Sequence, residues 1–447
     1  MSLAQTSESV LHAITPGTCE DMTYPGATNT AVQCFSALTD NRFTIGLPST
    51  NQGSTSQLIF NPAQGLSDIV VTCTLPPQSG TLYVGYAFPQ GWLGAMINTV
   101  ALRIGGSSLY YWTGAQIMVD TLQECENQGK QQGVFNLGGA ALGTVTTATA
   151  PVASVTAFPT NAKDPLLSGS FYLKMPFNTI SSLQKTLALP TDLLTQPVQI
   201  LITWKNFSDV AFQYQTTTSP ASQSLPTAFA NCSARFRQTT LVNSEHLLSR
   251  REDMNSKMLV YPLRSFSQTE FTTQVATTVG VPFSINATGL RSGSIKWIDV
   301  YVTSPSISGA GNNWNFVPIT QLQFLVNGLI YYDASNDDAL MWNLCDSAVP
   351  LQVSTTGYTS SATPTTNSTT LTATTSTMSW YRIQLGQKPY AMAYENEMSL
   401  GLNIANSVCN INMSVATQVN ETVTVRLVYH YACNLIFTKG TAEYLFT

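Results

Sequence analysis

Charge is scarce in this chain. Only 10 % of its residues are Asp, Glu, Lys or Arg, against about 25 % in ordinary globular domains. The formal net charge is −5, and no run of Lys and Arg is long enough to follow a phosphate backbone. Direct sequence-specific nucleic-acid binding is therefore not expected. The densest cluster, SRREDMNSK at 249–257, mixes both signs and reads as a solvated linker or short helix. Histidine is scarcer still. His12, His246 and His430 have no metal-ligand spacing, and His430 alternates within a strand-like run, as a core or sheet-face residue does. The cysteines Cys19, Cys34, Cys73, Cys125, Cys232, Cys345, Cys409 and Cys433 include no CxxC pair. With no export signal in sight, they read as reduced thiols acting as small apolar residues. No stretch approaches 18 uninterrupted apolar residues, so no transmembrane segment is expected. The start, MSLAQTSESVLHAITPG, lacks the basic lead and apolar run of a secretory signal.

Catalytic patterns are missing too. GVFNLGGAALG has no Lys-Ser/Thr to complete a phosphate loop, and no GxSxG elbow occurs. Asp337 with Asp338, and Glu395 with Glu397, are paired acids of the kind used in acid–base chemistry. The first pair sits where a helix would start, which accounts for acids without catalysis. Asp120, Glu124 and Glu126 suit a solvated helix face. No catalytic residue, metal ligand or cofactor is assigned, and the chain is not expected to be an enzyme. Asn-X-Ser/Thr sequons occur at Asn206, Asn231, Asn286, Asn367, Asn412 and Asn420. A chain rich in Ser, Thr and Asn produces several by chance, so the structural reading is favoured.

What is present is β-structure. RFTIGL, SDIVVTCTL, TLYVGYAF, INTVALRIG, IKWIDVYVT and TVTVRLVYHYACNLIF are short, rich in β-branched and aromatic residues, and divided by Pro, Gly, Asn and Ser. Helical periodicity is confined to about 115–128 and 334–345. At 447 residues, the chain suits two domains of roughly 200 each. Its low-charge surface points to contact with other subunits.

The halves follow one plan. Ile97, Val100, Leu102, Ile104, Gly106, Tyr110 and Tyr111 match Ile319, Leu322, Phe324, Val326, Gly328, Tyr331 and Tyr332, with one residue of slippage. Each hairpin leads to a helix-like segment, then to a long loop of small residues (133–165 and 353–379), then to a closing pair of strands. Two long loops in equivalent places are hard to obtain by chance. The unit is an antiparallel sandwich of about eight strands, and the jelly roll is the eight-strand version. The tyrosines are expected to anchor one end of each sandwich. Trp92 and Trp112 are candidates for lateral contacts or for packing at the sandwich ends.

With these features the chain resembles the double jelly-roll major capsid proteins of double-stranded DNA viruses, in the group of large eukaryotic viruses, virophages and polinton-like viruses. GWLGAMINTVALRIGG resembles their core region, and MPFNTISSLQKTLALP at 175–190 resembles the segment before the last strand of the first jelly roll. The resemblance implies an all-β fold of two tandem eight-stranded jelly rolls. Along the chain these divide as an N-terminal arm at 1–40, a first jelly roll at 41–215, a linker at 216–260, a second jelly roll at 261–438 and a tail at 439–447. It implies homotrimers of pseudo-hexagonal outline that tile an icosahedral shell. The partners would be neighbouring capsomers, minor capsid proteins and penton proteins. The virion would be the location, the protein being made in the host cell without a secretory signal. The alternative is a two-sandwich carbohydrate-binding or amidase-like protein, suggested by exposed aromatics and acids.

Overall fold

The computed structural model describes residues 39–44, 54–60, 65–78, 84–123, 125, 127–143, 158–174, 189–191, 194–215, 225–239, 259–274, 278–287, 294–334, 352–363, 368–385, 402–404, 407–416, 422–438 and 441–446. Strands dominate them. Eight build the first sandwich: β1 (Thr39–Thr44), β2 (Thr55–Phe60), β3 (Gly65–Thr74), β4 (Ile97–Ile104), β5 (Ser107–Thr113), β6 (Ser168–Lys174), β7 (Val198–Trp204) and β8 (Asn231–Thr239). Eight more build the second: β9 (Leu259–Gln274), β10 (Phe283–Asn286), β11 (Ser294–Thr303), β12 (Ile319–Val326), β13 (Leu329–Ala334), β14 (Tyr381–Gln384), β15 (Cys409–Val415) and β16 (Val423–Thr438).

The first sandwich pairs its strands as β1-β8-β3-β6 and β2-β7-β4-β5; the second pairs them as β9-β16-β11-β14 and β10-β15-β12-β13. Adding eight to every number turns one order into the other. Every pairing is antiparallel. A first strand beside the eighth and a second beside the seventh define the jelly roll. The fold is therefore two jelly rolls in tandem, as the sequence patterns imply.

Alternation builds these sheets. Val198, Ile200, Ile202 and Trp204 of β7 point into the core, while Gln199, Leu201 and Thr203 are half-exposed. Ile69, Val71 and Cys73 of β3 face Val100 and Leu102 of β4 across one core, and Ile298, Val300 and Val302 of β11 serve the other with Phe324 and Ile411. A period of two places one apolar set on one face of each strand.

The duplication extends to irregularities. The β4–β5 ladder shifts register between Leu102 and Arg103, and the β12–β13 ladder between Phe324 and Leu325. The β4–β7 and β12–β15 ladders shift between Ile97 and Thr99 and between Ile319 and Gln321. All stand 222 residues apart (324 − 102, 319 − 97). So do the turns. Gly105 and Gly106 have φ of 59° and 86°; Asn327 and Gly328 have 51° and 82°. Positive φ at both central residues is the two-residue hairpin turn whose twist matches that of the strands. Because the turns align without a gap, Tyr110 corresponds to Tyr332, opposite Leu102 and Phe324 respectively. The one-residue slippage read from the tyrosine pairs is corrected accordingly.

Other expectations are revised. Residues 133–137 are not loop but the end of helix α3 (Gln128–Leu137), which follows α1 (Trp92–Met96) and α2 (Gly114–Gln123). Asn127 accepts from the Lys130 N–H at 2.9 Å and starts α3, burying Gln131 and Phe135 one turn apart. Gly129 and Gly133, poor helix formers, hid it. The span 353–379 is not a loop but a hairpin of Gln352–Thr363 with Ser368–Ser379, in unbroken register. Thr is polar yet β-branched, and here its strand preference wins. The span 216–260 is not linker throughout, since β8 within it hydrogen-bonds both β1 and β3. In the span 439–447, Thr441–Phe446 adds a strand to β16. The arm at 1–38, the helix-like segment beyond residue 334, the charged run at 249–257 and the acids Asp337, Asp338, Glu395 and Glu397 lie outside the described residues.

Candidate functional site

Strand β11 is buried on both faces from Ile295 to Val302. One face lines its own core. The other, carrying Trp297, Asp299 and Tyr301, is covered by the first sandwich. The cover is α2. Thr113 caps it, its hydroxyl accepting from the Gln116 N–H at 3.2 Å. Gln116, Asp120 and Gln123 then fall at spacings of four and three, on one side of the helix. That polar stripe faces the second sandwich. Thr269 of β9 donates to Gln116 Oε1, Gln123 Nε2 donates to Asp299 Oδ2 at 3.0 Å, and Arg426 Nη1 donates to Thr113 Oγ1 at 3.3 Å.

Asp299 is the centre of the seam. Arg382, directly opposite on β14, donates from Nε to Oδ1 at 2.8 Å and from Nη2 to Oδ2 at 3.2 Å. His430 Nε2 lies 2.9 Å from Oδ2. The His430 ring stacks on Trp297, centroids 4.4 Å apart, and the Arg382 guanidinium lies 4.9 Å from the same indole. Burial alone would push the Asp299 carboxyl up. The charge of Arg382, with the contact and charge of His430, outweighs burial and holds it well below the usual carboxylate range.

A second group of contacts ties the two sandwiches as well. Gln90 N–H donates to Thr356 O at 3.0 Å and Thr356 N–H to Gln90 Oε1 at 3.1 Å. Gly311 N–H donates to Val210 O at 2.8 Å, and Phe135 meets Trp314 edge-on.

Asp120, Asp299 and His430 bring their ligand-type atoms within 4.8 Å of one another. Both oxygens of Asp299 already accept from Arg382 and Gln123, and the guanidinium's fixed positive charge opposes a cation there. The arrangement acts as a fastening between sandwiches. Asp120 is thus partly buried in the seam instead of on a solvated face, because its stripe meets β11. His430 sits on a sheet face, as its alternation implies, although that face is turned to the other sandwich. Sequence reading missed Asp299 and Arg382. The available signal was a lone carboxylate inside the apolar run IKWIDVYVT.

The corresponding face of the first sandwich has no such cover among the described residues. On β3, Val70, Thr72 and Thr74 are half-exposed, with Thr72–Ser170 and Thr74–Ser168 hydroxyl pairs at 3.0 and 3.1 Å. The apolar tip of the second hairpin is open too. Leu329, Ile330 and Tyr331 are 66, 56 and 50 % exposed, where the first hairpin has Ser107, Ser108 and Leu109. Tyr331 therefore does not anchor a sandwich end. Tyr110 does so, buried edge-on against Trp112 at 4.0 Å, and Tyr332 packs half-buried on the core. Trp92 and Trp112 are both core residues.

No protein-family sequence profile matches the chain, and no curated protein matches it by sequence. Solved structures do match in fold. A chain of the PBCV-1 virus capsid is 14 % identical, with a TM-score of 0.57 over 94 % of this chain and 99 % of that one. The Faustovirus major capsid protein is 10 % identical, with a TM-score of 0.50 over 94 % of each chain. The mavirus major capsid protein is 9 % identical, with a TM-score of 0.50 over 95 % of this chain and 94 % of that one. The chain shares their double jelly-roll fold over most of its length. Among its described residues, no helix is long and apolar enough to cross a membrane.

Proposed function

We propose that this chain is a major capsid protein, forming homotrimeric capsomers of pseudo-hexagonal outline that tile an icosahedral virus shell. One observation carries the reading: the seam inside the chain has an open counterpart outside it. Within the chain, β5 and α2 of the first sandwich lie against β9, β11 and β16 of the second. By the eight-strand correspondence, β13 of one copy would lie against β1, β3 and β8 of the next. Three chains carry six sandwiches, so three repeats of the open contact close a ring. The like fold of capsid proteins from three viruses supports the same reading.

The shell of the virion is then the location. Neighbouring capsomers are the partners, with minor capsid and penton proteins at specialised positions. The hairpin at 352–379 would face outward. We place the first jelly roll at 39–239 and the second at 259–446. No catalytic step is required of such a protein.

Mass photometry with negative-stain imaging tests the assignment. The expected species is three times the 48.3 kDa chain, with a hexagonal outline. A monomer at micromolar concentration across salt conditions overturns it.

A further inference from the structure

Cys73 and Cys232 lie 159 positions apart in sequence, yet they are directly paired across β3 and β8. Both are free thiols in this structure. Both side chains point inward, and they are 0 and 3 % exposed. Their sulfurs stand 3.0 Å apart, closer than two non-bonded sulfurs normally rest. Directly opposed residues of an antiparallel pair hold their Cβ atoms about 4.5–5.5 Å apart, and a disulfide spans about 3.5–4.5 Å between Cβ atoms. A small closure of the two strands is enough to form the bond. Neither sulfur has any need of a neighbour of this kind for packing alone. Alternation gives one inward position in two, and an apolar residue would fill either.

We propose that Cys73 and Cys232 are a modification site, an oxidisable pair that forms an intrachain disulfide joining the inner strands of the first large sheet. The oxidant is a small-molecule disulfide of the glutathione class. One cysteine thiolate attacks it, its S–S bond breaks, and one thiol leaves. The other cysteine then attacks the mixed disulfide and releases the second thiol. Two thiols lose two protons and two electrons, one protein S–S bond forms, and the oxidant departs as two thiols. The attack needs a thiolate, and burial in the finished sheet pushes the Cys73 thiol well above its ordinary range. Exchange therefore belongs to the chain before β8 closes on β3. Once made, the bond lies in the core, out of reach of reductants. The inference is independent of the capsid reading.

The test is to refold the full chain in oxidised and reduced glutathione, trap free thiols with iodoacetamide, and map peptides without reduction. The expected result is one peptide linking Cys73 to Cys232. Thermal melts then compare this protein with and without a small, penetrating phosphine reductant added under partly unfolding conditions. A closed loop of this length should raise the midpoint by about 5 °C or more. A Cys73→Val, Cys232→Ala double variant should melt at the same temperature with and without reductant. Recovery of both cysteines alkylated from wild type after oxidative refolding overturns the proposal. So does a linkage of either one to a different cysteine. The peptide map needs no variant, so a double variant that fails to fold does not remove the test.

Discussion

At the residue scale the seam depends on one carboxylate. Asp299 is fully buried, and a buried ion pair with one partner removed loses about 3–5 kcal/mol, because the remaining charge is left unpaired. Asp299→Asn should therefore lower the unfolding free energy measured by urea titration by an amount in that range, and Asp299→Asn with Arg382→Met should recover part of it. The sign of the pH effect follows from the shift. The folded carboxyl is held below its unfolded value of about 3.9, so the native state binds fewer protons than the unfolded one. Its stabilisation is complete above about pH 5 and is lost as pH falls through the folded pKa. Wild type should lose stability in acid more steeply than Asp299→Asn. Equal acid slopes would show that the carboxylate is not the titrating group. Lys205 runs the other way. Burial first, then the positive charge of Arg426, push its amine down to about 8, against the pull of Asp209. A lowered amine penalises the folded state while it is charged, and the penalty lifts as pH rises from about 8 towards 10.5. Urea midpoints should rise over that interval in wild type and stay flatter in Lys205→Met.

At the element scale, the paired hairpins separate what turn chemistry demands from what packing adds. Asn327 has a positive φ of 51°, a conformation that Gly takes freely, Asn tolerates and β-branched residues avoid. Its side chain also ties the turn, accepting from the Val408 N–H at 2.9 Å. Asn327→Gly copies the first hairpin and should cost under about 1 kcal/mol, chiefly the lost tie. Asn327→Val should cost about 1–3 kcal/mol. Thermal midpoints of the two variants decide this, and equal losses would mean that the backbone conformation does not matter there. This hairpin was legible in the sequence because VNG between apolar runs states both the turn and the strands. The 352–379 hairpin was not, since a tract of Thr and Ser carries strand preference and loop polarity together. Helix α3 was hidden by its two glycines. Strand β8 went unread because its neighbours β1 and β3 are distant in sequence, and pairing of that kind leaves no local mark. The seam at Asp299 was illegible for a related reason: a buried charge is recognised by its partners, and Arg382, His430 and Gln123 come from three separate segments.

At the scale of the whole molecule, low charge and an open apolar tip have one explanation. Few like charges oppose association, and Leu329, Ile330 and Tyr331 offer the apolar surface that association would bury. Burying one Leu or Ile side chain contributes about 1.5–3 kcal/mol. Two Lys substitutions in a trimer contact remove that contribution twice per interface and add charges that must be desolvated. Leu329→Lys with Ile330→Lys should therefore weaken each contact by about a hundredfold or more. These side chains lie outside both cores, so the isolated subunit should keep its far-ultraviolet circular dichroism. The measurement is mass photometry over a concentration series, with circular dichroism on the same samples. If the proposed capsomer is right, wild type gives a trimer and the double variant a folded monomer. A trimer of undiminished yield would place the contact elsewhere and remove the β13 tip from the interface. A trimer lost together with the β-sheet signal would show that the tip supports the fold itself, contrary to its exposure. A folded monomer is the only outcome in which the tip of the second hairpin serves between chains.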